Sequence, residues 1–390
     1  MYSLTKKLLI SSLIIVVASC GGKNTSKNAI QPNKKPKVKN TFKVTKNWSK
    51  SIGGSFKKDI DGFRLTVDKG VIYGATQSGN IAAFELNTGK QLWKNKTKKP
   101  LSAGIHFGLD NVYVANNDGS VLAYDKNSGE KKWQKQLTSE VLVAPVESSN
   151  IAIIRSQDGK IVGLNSDTGQ QEWIIQRDLP NLSLRRDTVP IIAGRVAILG
   201  LSNGQLLALD AAIGRALWDL PISVPNGVNE LERMRDIAGQ PIINRETIYV
   251  NSFQGEIVAV NGSNRRLLWS KKISSHHQMD EDSTMLFATA SDSTIIALNK
   301  NNGDIVWQND ILLRRGVSAP SVIGKYVLVF GNDGDMYFFG KEKGTLLGRF
   351  SIPGKRIIGE PVILRDIAED KERFYALSDN GNIYSYEIQN

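Results

Sequence analysis

The sequence predicts an all-β fold: an eight-bladed β-propeller of four-stranded antiparallel blades, its ring closed by an N-terminal strand. Three observations lead there. All seven tryptophans share one place in a repeated phrase, eight tight turns recur at a matching offset, and the two ends of the 390-residue chain complete a single blade between them.

Trp93, Trp133, Trp173, Trp218, Trp269 and Trp307 each lie ten residues after a small residue, respectively Ala83, Ala123, Gly163, Ala208, Ala259 and Ala297. A fixed period of about 40 residues marks supersecondary units that bury their faces only against neighbours. Within a unit, short runs such as Ile81-Ala82-Ala83-Phe84 and Val121-Leu122-Ala123-Tyr124 are too brief and too rich in β-branched and aromatic residues for helices. Asn87-Thr88-Gly89, Asn127-Ser128-Gly129, Asp167-Thr168-Gly169 and Asn301-Asn302-Gly303 then place a turn residue before a glycine, as a hairpin needing φ > 0 requires. The tryptophan opens the returning strand.

A second turn stands fourteen residues before each tryptophan, at Ser78-Gly79, Asp118-Gly119, Asp158-Gly159, Asn203-Gly204 and Gln254-Gly255, with Ser293 replacing the glycine before Trp307. Asp333-Gly334 and Asn380-Gly381 extend the series to two units without the tryptophan, which makes eight. Pro145, Pro190, Pro241, Pro320 and Pro361 recur in the first strand of their units. Proline tolerates only a strand with a free edge, so this strand is expected to line a central channel. The last unit stops without room for a tryptophan strand, whereas Trp48 stands alone at the start; joining the two closes the ring and removes its exposed edges.

Burying an indole removes roughly 150–250 Å² from water, and seven in register, from Trp48 to Trp307, read as framework rather than as ligand-stacking rings. Two units depart from the pattern. Gly348 stands where a tryptophan is expected, ten residues after Phe338, and Arg265 takes the turn-glycine position of the fifth unit; these blades are expected to pack or turn differently.

Residues 1–19 read as a lipoprotein signal peptide. Lys6 and Lys7 precede a short, mostly apolar run, and Val17-Ala18-Ser19-Cys20 resembles a bacterial lipoprotein site with Cys20 as the first mature residue. That resemblance implies acylation of Cys20 and, with Gly21 rather than aspartate next, sorting to the outer membrane. Cys20 is the only cysteine, so no intramolecular disulfide forms. Residues 20–41, rich in Lys, Asn and Pro, read as a flexible tether, and residues 42–390 as the propeller. Of the net charge of +12, residues 1–20 supply +2 and residues 21–50 nine lysines without an acid, which leaves the ring close to neutral. The tether lysines suit a solvated spacer and the anionic inner leaflet equally. Nucleic acid is excluded as a partner by export.

No catalytic constellation, cofactor site or metal site is expected. His276, His277, Asp280, Glu281 and Asp282 form the only cluster of histidine and carboxylate, but without a fixed ligand spacing they read as a solvated loop. His106 is isolated, and neither a G-x-S-x-G elbow nor a P-loop occurs. The blade phrase resembles that of the quinoprotein dehydrogenases, which implies pyrroloquinoline quinone and Ca²⁺. Here no cysteine follows Cys20, and about 40 residues per blade leave little for an active-site superstructure. That enzyme class and a propeller binding envelope polysaccharide or peptide are the alternatives.

Binding is expected at the two long connections, residues 176–188 and 221–239, because loops on a rigid scaffold carry function. Leu182 and Leu184 beside Arg185 and Arg186 have the composition of an interface anchor. Leu231 and Met234, three apart, suit one helical turn. Lipoprotein signal, basic tether, eight blade phrases, Leu182-Ser183-Leu184-Arg185 and Glu230-Leu231-Glu232-Arg233 together resemble the BamB family of outer-membrane β-barrel assembly lipoproteins. The resemblance covers essentially residues 1–390. It implies a non-enzymatic scaffold of the BAM complex on the periplasmic face of the outer membrane, binding the POTRA domains of BamA and assisting unfolded β-barrel substrates. By position it nominates Leu182, Leu184, Arg185 and Asp236. The family's second segment often reads Asp-x-Asp; Asp236-Ile237-Ala238 keeps only the first carboxylate.

Overall fold

Six of the seven tryptophans pair directly across their hairpin with the small residue ten positions earlier, Ala83 with Trp93 and Gly163 with Trp173 among them. A broad ring needs a small cross-strand partner. A Cβ on Gly163 would stand 2.1 Å from Trp173 Cε2. Immediately beyond each pair the register slips, a bulge that sharpens the twist of the outer strand.

The computed structural model describes residues 31–57, 62–352, 356–366 and 371–389. They form eight four-stranded antiparallel sheets in an eight-bladed β-propeller, with no helix among the described residues. Blades one to seven span residues 66–96, 101–136, 146–176, 191–221, 242–271, 280–309 and 321–351, each running from a short inner strand to the outer one. Blade eight joins Ile357–Asp366, Lys371–Ser378 and Asn382–Gln389 to the N-terminal strand Lys43–Ser51. That strand pairs from Lys43 with Gln389 to Ser51 with Asn382, and Trp48 again faces a small residue, Ser385. Pro145, Pro190, Pro241 and Pro320 sit one residue before the inner strands rather than within them, and Pro361 lies at the register shift of its own strand. Their missing N–H therefore costs no ladder bond.

The core lies between blades. Trp93 Nε1 donates to Lys126 O of blade two at 2.9 Å, and its ring lies so close on Gly129 that a Cβ there would meet it at 2.6 Å. Trp48, Trp133, Trp173, Trp269 and Trp307 repeat this on Gly89, Gly169, Gly214, Gly303 and Gly344. The turn glycine thus answers two demands, a left-handed φ and room for an indole. In blade five Arg265 adopts φ 61° and the turn survives, while Trp218 of blade four stays half-buried. In blade seven the sizes are reversed, with Phe338 opposite Gly348. The missing indole is replaced by Phe42, whose ring lies 5.1 Å from Phe338 and 4.4 Å from Tyr326.

Residues 33–41 differ from the free tether expected of them. They run along blade seven and the connection that precedes it: Asn33 N donates to Leu313 O, Lys35 pairs with Asp335 at 2.5 Å, and Thr41 N donates to Leu347 O. Arg349 Nη1 reaches Pro36 O at 2.6 Å. The signal peptide and Cys20 lie outside the described residues.

Candidate partner-binding site

The two long connections lie between blades three, four and five, and one hydrogen bond joins them. Leu184 N donates to Asp236 Oδ1 at 2.9 Å. Asp236 is itself held by its backbone, its carbonyl accepting Phe253 N at 2.9 Å. Its carboxylate is fully buried, and Oδ2 has no hydrogen-bond partner among the described residues. Burial pushes its pKa up to about 6, against the opposing pull of the Leu184 N–H and the Arg155 charge. Asp236 is thus buried beneath the loop, with its carboxylate on the Leu184 amide.

Beneath the loop, Arg155 Nη1 pairs with Asp187 Oδ1 at 3.2 Å, both side chains nearly inaccessible. Arg155 also donates to Gly200 O at 2.6 Å and Ser202 Oγ at 2.9 Å, and Gln157 Nε2 reaches Asp187 Oδ2 at 2.5 Å. The segment from Leu184 to Asp187 is therefore anchored at both ends. Between them Arg185 takes a left-handed φ of 53°, which turns its guanidinium outward beside the Glu140 carboxylate. Leu182 is exposed and Leu184 half-buried. Leu184, Arg185 and Arg186 also line the mouth of the central channel, a cavity of about 810 Å³ shared with Arg64, Arg356 and Glu360.

The second connection folds on itself. Asn229 Oδ1 accepts Glu232 N at 2.9 Å while Glu232 Oε2 accepts Val228 N at 2.8 Å, a reciprocal cap on a single turn. That turn separates the expected pair: Met234 is buried and Leu231 exposed, alongside exposed Val224 and Val228. Val224, Val228 and Leu231 are thus exposed apolar side chains on the second connection, as Leu182 is on the first. Valines flanked by Pro and Asn looked like ordinary loop composition, and Arg155 and Asp187 carry no local signal because their partnership spans blades three and four.

The histidine and carboxylate cluster is framework rather than a solvated loop. Asp280–Glu281 is the inner strand of blade six; Asp280 Oδ2 accepts Val322 N at 2.7 Å, and Glu281 pairs with Lys300 at 2.6 Å. Asp282 pairs with Lys341 at 3.0 Å. His277 is held well below the usual histidine pKa by burial, with His276 and Arg186 adding to it. No group of three metal-capable side chains gathers among the described residues.

The sequence profile of outer membrane protein assembly factor BamB matches residues 77–309. A protein of that description from Pseudomonas aeruginosa is 36% identical over 377 residues, 97% of this chain and 98% of that protein. The crystal structure of BamB from Moraxella catarrhalis superposes with a TM-score of 0.79 at 21% identity, over 88% of this chain and 99% of that one. A quinohemoprotein alcohol dehydrogenase from Comamonas testosteroni shares the fold alone, with a TM-score of 0.71 at 11% identity over 89% of this chain and 77% of that one. With a family profile spanning more than half its length and a full-length relative above the identity that separates families, the chain belongs to the BamB family of outer membrane protein assembly factors.

Proposed function

We propose that this protein is a non-enzymatic scaffold of the BAM complex, anchored through acylated Cys20 to the inner leaflet of the outer membrane. It docks on the POTRA domains of BamA and assists folding and insertion of β-barrel substrates. The observation that carries the reading is the preformed Leu182-Ser183-Leu184-Arg185 loop: exposed leucine beside an outward arginine, its backbone clamped by Asp236 and by the Arg155–Asp187 pair. Leucines suit a shallow apolar groove, and the guanidinium suits a carboxylate on the partner, exchanging Glu140 for it. Asp236 contributes by holding Leu184, and the exposed Val224, Val228 and Leu231 extend the apolar contact.

The test is a quantitative pull-down of the non-acylated protein against the periplasmic domains of the same organism's BamA, beside Leu184→Asp and Arg185→Glu. Saturable binding lost in both folded variants supports the reading. Binding that survives both moves the interface elsewhere. Absence of binding returns the polysaccharide and enzyme alternatives.

A further inference from the structure

The eight outer strands form the lateral wall of the ring, and their charge is unevenly distributed. Three neighbouring blades, eight, one and two, present the outer strands Lys43–Ser51, Gln91–Lys96 and Lys131–Gln136. Together they carry Lys43, Lys46, Lys50, Lys94, Lys96, Lys131, Lys132 and Lys135 and not one carboxylate. The other five outer strands balance Lys271 and Arg349 against Glu172 and Asp219. All eight lysines are exposed except the half-buried Lys135. Of these eight only Lys132 has an ion-pair partner among the described residues, Asp125 at 3.5 Å. A wall of cations on a ring that is otherwise nearly neutral is a one-sided field.

The residue type narrows what that field meets. Lysine is a hydrated point charge on a flexible stem, depleted from protein interfaces, whereas arginine is preferred wherever a carboxylate or phosphate is held in fixed geometry. This wall holds lysine and no arginine. Flexible, unpaired cations spread over three blades suit a diffuse anionic plane, to which each adjacent basic residue adds independently. The wall also begins at Lys43, where residues 33–41 arrive from the N-terminal side, so it adjoins the part of the chain leading back to Cys20.

We infer that the lateral wall of blades eight, one and two docks on the anionic headgroups of a lipid bilayer. The inference stands apart from docking on BamA, which uses the connections between blades three, four and five. Lipid anchoring restricts the ring to the neighbourhood of the membrane; the lysine wall sets which side of it faces the headgroups.

The test uses the mature chain, residues 20–390 with Cys20→Ser, so that neither the signal peptide nor an acyl group contributes, and measures its partitioning onto vesicles of phosphatidylglycerol with phosphatidylcholine and of phosphatidylcholine alone. Binding is expected only with phosphatidylglycerol, and is expected to vanish near 1 M salt, where the Debye length is about 3 Å. Replacing Lys46, Lys94, Lys96 and Lys131 together by Gln should weaken it on the order of a thousandfold. A control removes the same number of charges from blade five by replacing Arg265, Arg266, Lys271 and Lys272 with Gln, and should leave partitioning unchanged. Circular dichroism checks that both variants fold. Equal weakening by the two variants would reduce the effect to net charge, and unchanged partitioning of the wall variant would assign it to the lysines before residue 42. Either result overturns the inference, as would loss, in the wall variant alone, of a cross-link to an acidic protein with vesicle binding intact.

Discussion

The main-chain amide of Leu184 donates to the buried carboxylate of Asp236, so the nominated loop is held from below by a buried acid. The two residues sit 52 positions apart in different connections. Substituting either end is therefore expected to disturb binding for different reasons.

Asp236→Asn keeps an acceptor for the Leu184 amide and removes the buried charge, so BamA binding should stay within a few fold. Asp236→Ala leaves that amide unpaired, at a cost of about 1–3 kcal/mol, and should weaken binding while the ring stays folded. Titration calorimetry on both variants separates a positioning role from a contact role.

Stability should respond to pH through the same carboxyl. Its folded pKa of about 6 lies above the unfolded value near 3.9. The folded state therefore binds the extra proton, and this group's contribution falls as pH rises from about 4 to about 6, then stays level. The size is roughly 3 kcal/mol. It appears as the difference in unfolding free energy between wild type and Asp236→Asn across that window; a difference that grows in favour of wild type would contradict it.

Arg155→Met leaves Asp187 buried without its cation and should cost about 3–5 kcal/mol in denaturant unfolding. The double variant with Asp187→Leu should recover most of that. If the loop rests on this pair, the single variant also loses BamA binding out of proportion to its stability.

Phe42→Ala empties the place that an indole fills in most other blades and should destabilise the ring by about 3–5 kcal/mol. Arg265→Gly removes the side chain standing where the other blades have the glycine that accepts an indole. It is expected to let Trp218 bury, seen as a blue shift of tryptophan fluorescence and a melting temperature that rises rather than falls.

The ring was legible because its packing rule is local. A small residue and an indole ten positions apart meet across one hairpin, as Gly163 and Trp173 do, so spacing alone reports the contact. Closure was legible for the same reason, Trp48 lacking the strands that the C-terminus supplies. What escaped depends on partners remote in sequence. Asp236 was nominated by position alone, and its burial depends on a loop 52 residues away. Lys35 and Asn40 have the composition of a tether, yet Asp335 and Arg349 hold them in place. Composition measures the cost of desolvating a group and is silent about the neighbour that offsets it.

Closure by the N-terminal strand has a mechanical consequence. A pull on the N-terminus first meets the contact of Asn33 with the connection before blade seven and those of Lys35, Asn40 and Thr41 on blade seven. Only when these yield does load pass to Lys43–Ser51, where it first meets the pair of Lys43 with Gln389. The seam of the ring is thus protected by a sacrificial edge.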